Sequence, residues 1–129
     1  VTPAKRAVSW APVFLWCALI FGFSSLPDRR TEGAPLAETM SRKGAHLVEY
    51  GVLALLLLRA FSAEGWERRR ALGAAFLFSV AYAASDEIHQ YFVPGRYAKV
   101  RDVALDGLGA ALALSVYARR SAVEEKDPL

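Results

Sequence analysis

The chain predicts an all-α fold, a four-helix transmembrane bundle formed by one domain over residues 1–129. Three observations lead there. Hydrophobic residues make up 54% of the sequence, above the usual range for a soluble domain. They gather in four runs separated by charged links. The second and third runs, at residues 52–58 and 71–84, lack the polar stripe that each helix of a soluble bundle needs. Mean hydropathy over the whole chain is only +0.22, because the charged links dilute the apolar runs.

The spans are expected at about residues 7–26, 43–60, 71–93 and 102–118. The first follows a short basic lead with Lys5 and Arg6 and carries no charged residue. Its length matches the roughly twenty residues that cross a bilayer core. A cleaved signal peptide is the competing reading, but the exit at residues 22–27 offers no Ala-x-Ala pattern. Pro12 is tolerable where neighbouring helices satisfy the freed carbonyl. Residues 27–42 read as a polar link, with Pro27, Gly33 and Pro35 arguing against a continuing helix.

The second span opens with Lys43, His46, Glu49 and Tyr50, whose three-and-four spacing places them on one helical face. Its second half is hydrophobic all round, as in a helix surrounded by apolar material. Residues 60–70 form a second charged link ending in Arg68, Arg69 and Arg70. The third span confines its charge to residues 86–90, and Pro94 with Gly95 breaks it. Asp102 is the expected N-cap of the fourth span. The small residues Gly107, Gly109, Ala110, Ala111 and Ala113 would let a neighbouring helix approach closely. The tail from residue 121 onward reads as charged and frayed.

Alternating crossings give the central expectation. The end of the first span, the start of the second, the end of the third and the start of the fourth must lie on the same side. Ser24, Ser25, Lys43, His46, Glu49, Tyr50, Asp86, Gln90, Asp102 and Asp106 then share one end of the bundle. Ionisable groups at membrane depth normally face a bundle interior and persist where paired or used. The lead, second link and tail hold nine basic residues against seven on the other side. Arg68, Arg69, Arg70, Arg119 and Arg120 directly abut span ends, where the positive-inside bias counts most. Both termini are therefore expected in the cytoplasm and the polar cluster outside.

The net charge of +3 does not indicate nucleic acid, because the basic residues are scattered between apolar segments instead of forming one face. The single cysteine, Cys17, excludes an internal disulfide and a multi-thiolate metal site. The candidate acid and base groups are Asp86, Glu49 and His46, since carboxylates and imidazole in low dielectric can be tuned for proton transfer. Lys43, Gln90, Arg96, Asp102 and Asp106 are the candidate substrate-binding residues, with Arg96 able to hold a phosphate or carboxylate bidentately. A metal variant would use His46, Glu49, Asp86, Glu87 and His89, although no signature motif is complete. Neither a metal nor a cofactor is assigned. The non-enzymatic alternative makes the cluster an internal ion-pair network that fixes helix assembly, pairing Asp86 or Asp102 with Arg96 and Glu49 with Lys43. Four short spans without a repeat argue against a complete transporter in one subunit.

These residues also carry a resemblance. Phe23-Ser24-Ser25 follows the first span, and Arg42-Lys43 with His46, Glu49 and Tyr50 opens the second. The third closes with Asp86-Glu87-Ile88-His89-Gln90 and Phe92-Val93-Pro94-Gly95-Arg96, and the fourth holds Asp102, Asp106 and Gly109. In this order the motifs resemble the VanZ-like family of small bacterial membrane proteins, named after a protein associated with resistance to the glycopeptide antibiotic teicoplanin. The likeness spans about residues 24–117. It implies a multi-pass protein of the bacterial cytoplasmic membrane, with a lipid-linked or glycopeptide-type envelope ligand. Asp106 departs from the pattern, since Asn is at least as familiar there.

Overall fold

The structure, a computed structural model, describes residues 1–26, 36–95 and 100–127, with the side chains of residues 36–41 left out. Four helices follow one another: α1 (Pro3–Ser24), α2 (Leu36–Ala63), α3 (Arg68–Tyr91) and α4 (Val100–Lys126). At 22 residues and about 1.5 Å per residue, α1 is roughly 33 Å long. That matches the roughly 30 Å hydrocarbon core of a bilayer. Segments Pro3–Ser24, Arg42–Ala63 and Arg68–Tyr91 are each long and apolar enough to cross a membrane. The uncharged part of α4 runs only from residue 107 to 118.

The helices are longer than the apolar runs. Polarity marked residues 27–42 as a link, yet α2 begins at Leu36, directly after the last proline. Nothing between Pro35 and Lys43 breaks a helix, so the polar residues simply continue it. The other charged link shrinks for the same reason, to residues 64–67. The tail expected to fray is helical to Lys126, because Ala, Arg, Glu and Lys are good helix formers. Asp102 is not an N-cap. It lies in the first turn of α4, where a carboxylate favours the positive end of the helix dipole.

Local signals set the ends that the structure describes. Thr2 Oγ1 accepts from Lys5 N at 3.3 Å, with Pro3 in the first turn. The α2–α3 turn is a Schellman motif: Gly65, at φ +85°, donates to Ser62 O, and Trp66 N donates to Phe61 O at 3.2 Å. The Phe61 and Trp66 rings stand 4.7 Å apart, the hydrophobic contact that accompanies this turn.

Helix α2 is the hub. It packs against each of the other three helices, most extensively α4, whereas α1 reaches α2 and α3 and makes no contact with α4 among the described residues. Its apolar half contributes Tyr50, Leu53, Ala54, Leu57, Leu58, Ala60 and Phe61 to the core, which is why no polar stripe could be afforded there. Gly109 makes the α2–α4 approach possible. A Cβ at that position would lie 2.9 Å from Leu47 Cα and 3.0 Å from its carbonyl carbon, closer than backbone atoms can tolerate. Large apolar side chains face outward instead, among them Phe14, Leu15, Leu77, Phe78, Leu112 and Val116. A lipid-facing surface has this composition, and a water-facing one this extensive does not.

Candidate functional site

The buried stripe of α3 explains how acids reach the interior. Ala71, Ala75, Ser79, Ala83, Asp86 and Gln90 recur at three- and four-residue steps and are all buried. Small residues admit α2 and α4 along most of the helix, and the same stripe then carries Asp86 and Gln90 into the bundle. Helix α4 repeats the pattern with Asp106, Gly109, Ala110 and Leu114.

Asp86 is 5% exposed and stands at the centre of the polar end. Its Oδ2 accepts from Gln90 Nε2 at 3.2 Å and, at a long 3.5 Å, from the hydroxyl of the fully buried Tyr50. Gln90 Nε2 also donates to Ser24 Oγ at 3.3 Å, so α1, α3 and α2 are joined by one chain of hydrogen bonds. Among the described residues, the buried Asp86 Oδ1 has no hydrogen-bond partner. An unsatisfied carboxylate oxygen at this depth costs about 1–3 kcal/mol or more.

Asp106, 2% exposed, has a different neighbour. Its Oδ1 lies 3.2 Å from His46 Nδ1, a contact between α4 and α2 that falls outside hydrogen-bond geometry and is ionic when the imidazole carries a proton on each nitrogen. The pairing follows from register: Leu47 seats against Gly109, and the residues next to that contact, His46 and Asp106, are brought face to face.

Three aromatic groups complete the frame. Trp16 Nε1 donates to the Glu49 carbonyl at 2.9 Å, and the Tyr82 hydroxyl donates to the Cys17 carbonyl. The Tyr50 and Tyr82 rings are 6.4 Å apart. Donors from α1 and α3 thus fix the helices immediately below the acids.

The expected gathering of all four helix ends is therefore present. Asp86, Gln90 and Asp106 are buried at this end, with the half-buried His46 beside Asp106; Glu49 and Asp102 are also half-buried, and Lys43 is exposed. Arg96 lies outside the described residues, and with it the expected pairs to Asp86 or Asp102. His89 leaves the cluster: its Nε2 meets Ser25 Oγ at 2.9 Å and its ring stacks on Phe21 at 4.3 Å. Among the described residues no three His, Cys, Asp or Glu side chains converge as a metal site would require. Tyr50 and Ser24 are placed at this end by the sequence but are not among its candidate acid, base or substrate-binding residues. For Tyr50, the three-and-four spacing from His46 was the available signal.

The VanZ/LLP1 family model matches residues 8–121. The chain belongs to this family. No curated protein and no solved structure matches it. In this VanZ-like protein the matched region contains every residue of the polar cluster, from Ser24 on α1 to Asp106 on α4.

Proposed function

We propose that this membrane protein binds an amphipathic cell-envelope molecule, lipid-linked or of glycopeptide type, at an outward-facing polar end, with Asp86 as the principal contact. The observation that carries the reading is the buried Asp86 Oδ1, without a hydrogen-bond partner among the described residues. A ligand ammonium, amide or hydroxyl donor would satisfy it, and Gln90 and Tyr50 hold the carboxylate ready. Glu49 and Lys43 share a helical face with His46 at this end, and Arg96 follows the break at Pro94 and Gly95, positioned in sequence to meet an acidic group. This reading takes four crossings with both termini cytoplasmic, and the basic flanks at the opposite end support that orientation.

A second reading has its own support. The His46–Asp106 contact ties α2 to α4 as an internal pair would, so this part of the cluster serves assembly. The two readings divide the acids: Asp86 for the ligand, Asp106 for the scaffold.

Single cysteines in a Cys17→Ser background test the site and its sidedness together. Ser25→Cys is expected to react with an impermeant thiol reagent in intact cells, Gly65→Cys is not, and a lipoglycopeptide-type antibiotic should slow the Ser25→Cys reaction. Labelling of Gly65→Cys alone would invert the orientation. A Ser25→Cys rate unchanged by lipoglycopeptides and by lipid-linked envelope precursors would contradict ligand binding.

A further inference from the structure

A second feature lies on the outer side of the α2–α4 seam. Because Gly109 and Gly51 bring these helices together with little side chain between them, their outer surface is grooved. One open cavity of about 300 Å³ is lined by Leu47, Gly51 and Leu55 of α2 and by Gly109 and Leu112 of α4, among others. A second, of about 460 Å³, is lined by Leu55, Leu58, Arg59, Ser62 and Tyr117. Leu55 borders both, so the two cavities follow each other along α2 and are treated as one furrow.

Its chemistry changes along its length. The half near Leu47 is almost wholly apolar, and the other half ends in a guanidinium and two hydroxyls, with Arg59, Ser62 and Tyr117 all exposed. From Leu47 to Ser62 the furrow follows α2 for roughly 22 Å at about 1.5 Å per residue. One leaflet's hydrocarbon occupies roughly 15 Å, half of the bilayer core, so an acyl chain anchored at Arg59 fits within it. Arg59 is also the charge closest in sequence to the apolar run of α2, the place where a snorkelling cation meets phosphate.

We propose that the furrow between α2 and α4 holds one acyl chain of an anionic bilayer phospholipid, with the headgroup phosphate at Arg59, Ser62 and Tyr117. The site rests on the membrane placement of the chain and is independent of what the polar end binds. An anionic headgroup complements Arg59, and the neighbouring Arg119 and Arg120 add to the attraction.

Native mass spectrometry of the full chain, released from nanodiscs holding equal amounts of phosphatidylglycerol and phosphatidylcholine, tests this. The wild type should retain phosphatidylglycerol at least about fivefold over phosphatidylcholine. Arg59→Gln should reduce that ratio to near one, Leu55→Trp should reduce retention of both lipids, and Arg69→Gln should leave the ratio unchanged. An equal fall in Arg59→Gln and Arg69→Gln would mean diffuse attraction to a basic surface and would overturn the site. So would a lipid-free dimer in the wild type that Leu55→Trp dissolves, since the furrow would then be a seam between copies. Arg59 is exposed, so its variant reports on binding even where Leu55→Trp fails to fold.

Discussion

The two ends of the bundle handle charge in opposite ways. At the basic end charges stay on the rim: Arg6 Nε donates to Glu64 at 2.9 Å, Trp10 Nε1 donates to the same carboxylate at 3.1 Å, and Arg68 Nη2 donates to the Ala118 carbonyl at 2.8 Å. Beneath them Phe61 packs against Trp10, Trp66 and Phe78, an aromatic belt of the kind found at a membrane–water boundary. At the polar end the acids Asp86 and Asp106 are inside. The rim charges need only water and one another, and such pairs contribute little. Interior acids need designed partners, and only one of the two has an ionic one among the described residues. A membrane protein that needed acids only for solubility would have kept them on the rim.

The contrast is broken most severely at Gly109, which sets the register of the polar end. Ala gains about 1 kcal/mol over Gly in a helix by propensity alone. At Gly109 that gain is overwhelmed, because the Leu47 backbone stands 2.9 Å from the new Cβ and cannot move aside as a flexible side chain would. Overpacking of this kind costs about 1–3 kcal/mol and more for larger groups. Gly109→Val should therefore abolish monodisperse protein in size-exclusion chromatography and Gly109→Ala should reduce it strongly. Gly51→Ala, whose nearest neighbours lie at 3.4 Å, should accumulate near normally. Equal yields for Gly109→Val and Gly51→Ala would show that the seam does not set the packing.

Removing one member of the interior pair comes next. Asp106→Ala leaves His46 without its acid, and breaking a buried pair costs about 3–5 kcal/mol. Because His46 is 29% exposed, the loss should fall at the lower end of that range, read as a drop in thermal midpoint in detergent. A midpoint equal to that of the wild type would remove Asp106 from the scaffold.

The smallest effect belongs to the rim. The Trp10 hydrogen bond, followed by Arg6, holds the Glu64 carboxyl below the ordinary glutamate value. A depressed acid contributes stability that is fully present above the ordinary pKa of about 4.3 and is lost as pH falls through the lowered value. Glu64→Gln should accordingly lower the thermal midpoint slightly at neutral pH. The gap from the wild type should close as the pH falls below the ordinary carboxylate range and the Glu64 carboxyl takes up its proton. A gap that persists in acid would show that the carboxylate's charge is not what Arg6 and Trp10 recognise.

How far the sequence could be read follows the same division. Apolar runs and alternation were enough to place four helices and to gather Ser24, His46, Asp86 and Asp106 at one end, since parity of crossing requires no side-chain detail. Helix ends were missed at Leu36 and Lys126 because polarity was taken for a break where no Pro or Gly lay. The His46–Asp106 partnership was also out of reach. It depends on the sliding register of α2 against α4, which Gly109 fixes by contact with Leu47, and no spacing within one helix encodes that. Spacing puts Tyr50 on the polar face of α2, but that its hydroxyl donates to Asp86 depends on how α2 and α3 pack.

The central claim is that the two interior acids do different work. Asp86→Asn and Asp106→Asn each keep shape and polarity, and Asp106→Asn, which removes the charge beside His46, should yield the smaller amount of folded protein. The direct measurement is the protection each confers on a susceptible host against a lipoglycopeptide-type antibiotic, at matched levels of folded protein and against a protective wild type. Asp86→Asn should lose it, because an amide cannot offer the second carboxylate oxygen to a ligand donor. Asp106→Asn should keep it, since a neutral amide beside His46 still fills the place between α2 and α4. Full protection by Asp86→Asn, or equal loss in both variants, would contradict the assignment.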